Sequence, residues 1–323
     1  MKYLPFELHT HTQHSDGDFI VSELIENAKK AGLAGIALTD HNTYSGYNEA
    51  SDEGKKLEVL VIPGIEWTTF YGHLTVLGGS ASNDWRVVSP ATIKENVLSA
   101  RKSGACIGVA HPTRVGYPIC TGGWDDFLLK PSEYGIFTHY EVWSYLNPSV
   151  QHANLLSERK YASICEENIR LACVYGRDWH RGDSNVVYAA TYLGIQGDLS
   201  IDNALDAIRN GRTYISCGLH AIFVLNDTNG VEYNVGARVR AGEYRFSGKI
   251  SYFSDYYTKL NSIEYMEISL IGNGGNYTVP INKDGFFEFN LKCKEKKYLQ
   301  PVVYGNVKGI YSKLLLATPY FFE

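Results

Sequence analysis

HTHTQHSDG (His9–Gly17) follows an apolar run, Tyr3–Leu8, that reads as a strand. His9 and His11 are two residues apart at the end of that run, so a strand sends both side chains to the same side. Four more polar clusters sit in the same relation to short apolar runs. They are TDHN (39–42) after Gly35–Leu38, GIEW (64–67) closing Val59–Ile65, AHP (110–112) after Cys106–Ala110, and GRDWH (176–180) after Leu171–Tyr175. Tyr140–Trp143 and Thr213–Ser216 are further short strands, and Leu74–Leu77 follows His73. Between these runs, Val21–Ala31, Tyr44–Lys56, Pro90–Lys102, Pro148–Asn168 and Ile201–Arg209 read as helices by their spacing or pattern. Strand–helix alternation predicts a largely parallel sheet with helices outside it. Polar clusters after at least five strands must converge, which favours an α/β barrel, a fold that carries its active site at the strand ends.

From about Leu219 the pattern changes. Ala221–Leu225, Tyr244–Tyr252, Ile263–Ile271, Phe286–Leu291 and Tyr298–Val303 read as strands, separated by turn residues such as Asn226-Asp227 and Lys283-Asp284-Gly285. The expectation is an N-terminal domain over 1–218 and a small antiparallel β-sandwich over 219–323. Histidine follows the same division, since nine of ten lie at or before His180 and the last is His220.

The 323 residues carry 35 acidic and 30 basic side chains, a formal charge of −5 that argues against an extended nucleic-acid surface. No stretch approaches the ~18 apolar residues a membrane helix needs. A cleavable leader is not expected, because the polar cluster begins at His9. The six cysteines (Cys106, Cys120, Cys165, Cys173, Cys217, Cys293) form no C-x-x-C pair and read as free thiols, which places the chain in the cytoplasm.

His9, His11, Asp16, His41, Glu66, His73, His111, Asp178 and His180 are six imidazoles and three carboxylates. Buried together without cations, they would leave many polar groups unpaired. A site with two or three divalent ions satisfies them. The absence of Cys from the set excludes soft-ligand sites, and imidazole mixed with carboxylate suits Zn²⁺, Mn²⁺ or Fe²⁺.

These motifs resemble those of the PHP (polymerase and histidinol phosphatase) superfamily of metal-dependent hydrolases, over roughly residues 5 to 217. The resemblance implies a distorted (β/α)7 barrel. It also implies three metal positions: His9, His11, Glu66 and Asp178; Glu66, as a bridge, with His73 and His111; and Asp16, His41 and His180. NGRTYIS (210–216) and the β-rich tail are similar to the branch that includes carbaryl hydrolases.

Three divalent ions exceed the charge of three carboxylates, so a small anionic, phosphorylated substrate is favoured. The expected reaction is phosphoester hydrolysis by a metal-bridging hydroxide. The alternative is a carbamate or carboxyl ester hydrolase; a non-enzymatic metal- or ligand-binding protein is a third reading. His14 is a candidate leaving-group acid. Asp40 is expected to hydrogen-bond a ligand imidazole. Arg114, Arg177 and Arg181 are candidate phosphate-binding residues. His139 and His152 read as core or surface histidines.

Overall fold

The computed structural model describes residues 1–79, 84–114, 129–182, 188–252, 263–307 and 310–323. Cys120 therefore lies outside the described residues.

The first strands are β1 (Lys2–Thr10), β2 (Gly35–Leu38) and β3 (Leu60–Thr69), all parallel, with helices α1 (Val21–Lys30) and α2 (Tyr47–Leu57) between them. α1 buries Val21, Leu24, Ile25 and Ala28, which is the spacing of one helical face. Strand β4 (Gly72–Leu77) returns antiparallel to β3 after Phe70 and Tyr71 and pairs antiparallel with β5 (Cys106–Val109) as well. A two-residue connection cannot hold the crossover that a parallel neighbour requires, so the expected parallel order breaks here. β5, β6 (His139–Ser144) and β7 (Ala172–Gly176) are parallel again, with α3 (Ile93–Arg101) preceding β5 and α4 (His152–Glu166) preceding β7. On the other side of β1 lies β8 (Ala190–Ile195), antiparallel to both β1 and β9 (Thr213–Ser216), with α5 (Ile201–Arg209) between β8 and β9. The sheet is thus mixed rather than largely parallel.

β7 lies at one end of the ladder order, yet it returns to the edges of β8 and β9. No ladder closes the gap among the described residues. Threonine hydroxyls cross it instead. Tyr175 N–H donates to Thr191 Oγ1 at 2.8 Å, and Thr191 donates back to Tyr175 O at 3.1 Å. Thr213 donates to Cys173 O at 2.8 Å, while Cys173 N–H donates to Thr318 Oγ1 at 2.9 Å. Buried backbone groups that lack a strand partner are satisfied in this way. One buried cluster takes Phe6 from β1, Ala37 from β2, Ile62 from β3, Leu77 from β4, Val174 from β7 and Leu193 from β8, with Leu205 and Ile208 of α5.

The C-terminal part contains β10 (Leu219–Asp227), β11 (Glu232–Tyr233), β12 (Arg238–Val239), β13 (Gly242–Tyr252), β14 (Ile263–Gly272), β15 (Gly275–Pro280), β16 (Phe286–Cys293), β17 (Lys297–Val307), β18 (Ile310–Ala317) and β19 (Tyr320–Phe322). β11, β10, β13 and β16 form a four-stranded antiparallel sheet. Its Phe223, Phe246 and Phe287 share an apolar cluster with Ile268, Leu299, Leu315 and Phe322 of the remaining strands. Those strands extend the long sheet, because β18 pairs antiparallel with β9. The sheet therefore runs through residue 218, where the helical pattern ends.

Candidate metal centre

The strand ends meet as the spacing requires. An isolated parallel bridge, Thr10 to Trp179, joins the end of β1 to the segment after β7. A second, His41 to Glu66, joins the residue after β2 to β3.

His9 and His11 are fully buried. Glu66 Oε2 lies 3.2 Å from Nε2 of each, and Asp178 Oδ1 lies 3.4 Å from His9 Nε2 and 3.1 Å from His11 Nε2. Among the described residues none of these four atoms has a hydrogen-bond partner, although all are buried. Ligands ~2.1 Å from a common cation at tetrahedral angles would lie about 3.4 Å from one another. The donor set, its spacing and its unsatisfied atoms therefore fit a divalent ion.

The other candidate ligands surround this group. His73 Nδ1 and His111 Nε2 approach Glu66 Oε1 at 2.6 and 2.9 Å. His41 Nδ1 lies 3.1 Å from Glu66 Oε2, while its Nε2 lies 3.4 Å from Asp16 Oδ2. His180 Nε2 lies 3.1 Å from Asp16 Oδ1, and its Nδ1–H donates to Asp178 O at 2.9 Å. Among the described residues three sets of donor atoms gather closely: His9, His11, Glu66 and Asp178; His11, Asp16, His41 and His180; and His41, Glu66 and His73. His11 thus joins the Asp16 set, and His41 rather than His111 completes the set with Glu66 and His73, two differences from the sequence expectation; His111 Nε2 contacts Glu66 Oε1.

Electrostatics follow from this packing. Burial alone would raise the Glu66 carboxyl, but His9, His73, His11 and His111 hold it well below the usual range. Asp178 is likewise held down, against burial, by His9 and His11. Burial opposes protonation of His11, yet contacts with Asp178 and Glu66 push it up to about 9. Four residues at or beside the site, Asn42, His111, Tyr145 and Asp178, have positive φ of 53°, 26°, 62° and 54°. Such backbone costs of order 1–3 kcal/mol where the left-handed region is strained, and it clusters at functional sites.

Two candidates have other partners than expected. His14 is not among the described residues that line the cavity: its Nδ1 bonds Ser45 Oγ at 2.8 Å, and its Nε2 lies 3.9 Å from Glu49. Among the described residues Asp40 hydrogen-bonds hydroxyl and backbone donors rather than an imidazole. It accepts Thr12 N–H and the Thr12 hydroxyl, both at 2.8 Å, and the Ser15 hydroxyl at 2.7 Å. It fastens the turn that delivers Asp16.

The arginines separate. Arg177 and Arg181 line a cavity of about 410 Å³ together with Asp16, His41, Glu66, His73, His111, Tyr145, Asp178 and His180. The Arg177 guanidinium stacks on Trp179 at 4.2 Å and on Tyr188 at 4.5 Å. Arg114 lies 4.1 Å over the Tyr145 ring and bonds Ser144 O at 3.3 Å, so it supports a cavity wall. His139 is a buried core residue.

Three contributors escaped the sequence reading. Thr68 Oγ1 lies 2.5 Å from His41 Nδ1. Glu7 accepts the His9 and Arg177 backbone N–H groups at 3.0 and 2.9 Å, and burial pushes its carboxyl up to about 8 against those contacts. Glu141 contacts His9 and His111. Glu7 precedes the first motif by two positions in its own strand, which was the one available signal.

Residues 7–113 match the model of the PHP domain. Over 123 residues the chain is 32% identical to an uncharacterized protein of Methanocaldococcus jannaschii, covering 35% of this chain and 48% of that protein. Over 109 residues it is 29% identical to the 3',5'-nucleoside bisphosphate phosphatase of Chromobacterium violaceum, covering 32% of this chain and 38% of that protein. The chain therefore spans about half, or less, of the length of these relatives. A crystal structure from Bacteroides vulgatus, described as a two-domain protein containing a predicted PHP-like metal-dependent phosphoesterase, aligns over 98% of this chain and 95% of its own. Its TM-score of 0.51 at 17% identity is a likeness of fold. Residues 7–113 thus match a PHP domain, and the motif residues within and beyond that stretch gather at one set of strand ends.

Proposed function

We propose that the protein is a metal-dependent phosphoesterase acting on a small phosphorylated substrate. The observation that carries this reading is the set of buried, unpartnered atoms His9 Nε2, His11 Nε2, Glu66 Oε2 and Asp178 Oδ1 beneath a cavity of small-molecule size.

In this reading His9, His11, Glu66 and Asp178 hold one ion; Glu66, His73 and His111 a second; and Asp16, His41 and His180 a third. Such ions, Zn²⁺, Mn²⁺ or Fe²⁺, supply an activated water and neutralise charge on phosphate oxygens. Glu66 keeps its carboxylate ionised and shared. Arg177 and Arg181 bind substrate oxygens from the cavity wall, which agrees with an anionic substrate. Tyr145 closes the wall beside Leu146. His180 is oriented by its Nδ1–H bond to Asp178 O, and His41 by Thr68, so each presents Nε2 toward Asp16.

The proposal includes the finer fold assignment: a distorted (β/α)7 barrel over 1–218 and a β-sandwich-like unit over 219–323. The threonine seam beside β7 and the apolar layer between the C-terminal sheets support it. A cytoplasmic location is part of the same reading, supported by free, buried Cys106, Cys165, Cys173, Cys217 and Cys293. No helix among the described residues is long and apolar enough to cross a membrane.

The test is phosphate release from a panel of phosphomonoesters and phosphodiesters, with Mn²⁺ or Zn²⁺ loaded and with aryl esters and carbamates run in parallel. Release that stops on chelation and in Glu66→Ala is expected. Turnover of carboxyl esters or carbamates above that of every phosphoester would replace this reading with the alternative hydrolase.

A further inference from the structure

Glu141 stands near the middle of β6, and no motif surrounds it. It is buried, and its two oxygens serve two different candidate metal positions. Oε1 lies 2.8 Å from His9 Nδ1, and Oε2 lies 2.5 Å from the His111 backbone nitrogen. The first contact acts on a ligand of the His9, His11, Glu66 and Asp178 set. The second acts on the backbone of the histidine that reaches Glu66 Oε1 from the other side. His111 is also a residue whose φ is +26°, so its backbone needs an external hold. Space for the carboxylate depends on a missing side chain, because a Cβ at Gly176 would sit 2.3 Å from Glu141 Oε1.

We infer that Glu141 is a positioning residue that locks two metal positions together through one carboxylate. Accepting Nδ1–H from His9 fixes that ring as the tautomer whose Nε2 is a free electron pair, aimed at Glu66 and Asp178. Accepting N–H from His111 fixes where the AHP turn leaves β5, and so where the His111 ring meets Glu66. The Asp16, His41 and His180 position has no contact with Glu141 and is held by Thr68 and the Asp178 carbonyl instead.

Glutamine at 141 is nearly isosteric but has one acceptor oxygen. Two donors, His9 Nδ1–H and His111 N–H, then face one oxygen and one amide that itself donates. One contact must break or the His9 tautomer must invert. Loss of such a partner to a metal-binding histidine costs about 10–100-fold in metal affinity.

The inference rests on the metal-site reading, and its test separates the two. Chelator-stripped protein is titrated with Mn²⁺, free ion being read by electron paramagnetic resonance, for wild type, Glu141→Gln and Glu141→Asp. Wild type that takes up no Mn²⁺ sinks the metal-site reading itself. Given uptake by wild type, Glu141→Gln is expected to weaken one class of ions about 10–100-fold, with Glu141→Asp in between. At least one ion, assigned to the Asp16 position, should keep its wild-type affinity. Wild-type affinity for every ion in Glu141→Gln overturns the inference. So does equal weakening of all ions, which marks general loosening. Should Glu141→Gln not fold, Gly176→Ala presses on the same carboxylate without changing charge. Together with Glu141→Asp it is expected to give the same selective loss, and unchanged affinity in both overturns the proposal.

Discussion

Thr10 and Trp179 pair in a parallel bridge that interleaves two ligand pairs. His11 N–H donates to Trp179 O and Trp179 N–H donates to His9 O, both at 3.0 Å. His9 and His11 flank Thr10, and Asp178 and His180 flank Trp179. The bridge therefore sets the spacing of four candidate ligands at once. The Trp179 ring anchors it by an edge contact with Phe19 at 5.4 Å, by the Arg177 stack, and by an Nε1–H bond to Arg181 O at 2.8 Å.

Trp179→Ala should therefore lose both stability and metal. A buried Trp→Ala change costs about 3–5 kcal/mol, to be read as a lower urea midpoint in chelator-stripped protein. Mn²⁺ affinity should fall as well. Trp179→Phe keeps the packing while losing the Nε1–H bond and should recover most of both. Unchanged metal affinity in a destabilised Trp179→Ala would show that the bridge does not set the ligand spacing.

Asp40 and His14 exchange the importance that motif reading gives them. His14→Ala should leave phosphate release unchanged, because its ring faces Ser45 and Glu49 rather than the cavity. Asp40→Asn places an amide among three donors and should cost about 1–3 kcal/mol. Its effect on metal should centre on Asp16, whose turn Asp40 fastens. Rate measurements on both variants, with urea unfolding of Asp40→Asn, check the pair. A large rate loss in His14→Ala would return that residue to the acid role.

The sequence made the site legible because its ligands follow strand ends, where a two-residue spacing is informative. His9 with His11 and Asp178 with His180 are legible in that sense, and the structure gathers the nine candidates at one set of strand ends. Glu141 and Thr68 were not legible, since each acts from within or near a strand whose local pattern is only apolar or β-branched. Helices α1 and α5 were readable from their apolar faces. Strand β8 was not, because both its faces are buried and it shows no alternation. The mixed order at β4 depends on a short hairpin, and the crossing of residue 218 depends on the pairing of β18 with β9. The first is local, a tight turn whose residues carry no Gly-type turn signal ahead of Gly72; the second is a long-range choice that residue spacing does not encode.

His139 supplies a pH-dependent term separate from the ligands. Thr138 donates its hydroxyl proton to Ile107 O at 3.0 Å, so its oxygen accepts from His139 Nδ1–H at 3.0 Å. Thr75 then donates to Nε2 at 2.8 Å. This ring is satisfied as the neutral form, and burial, aided by His9, pushes it down to about 3. The unfolded value is about 6.5. Between these values the unfolded chain binds the extra proton, so this contribution is lost as pH falls below the unfolded value. The slope is at most about 1.4 kcal/mol per pH unit for one group. His139→Gln should be less stable than wild type at pH 7, with the gap narrowing toward pH 5 in urea titrations. A constant gap would mean that the ring does not titrate as placed.

Metal uptake should expel protons. In the metal-free protein His9 is held well above its ordinary range by Glu66, Glu141 and Asp178 against burial, and His11 rises to about 9. A cation can bind Nε2 of either ring only when that nitrogen carries no proton. Lowering the pH from 9 toward 6 should therefore weaken Zn²⁺ binding, and binding at pH 7 should release at least one proton per protein. Calorimetric titration of the stripped protein with Zn²⁺, repeated in buffers of different ionisation enthalpy, gives that proton number directly. Replacing His11 with Asn should lower both the proton number and the affinity. Zn²⁺ binding that releases no proton at pH 7 would place the cation away from His9 and His11.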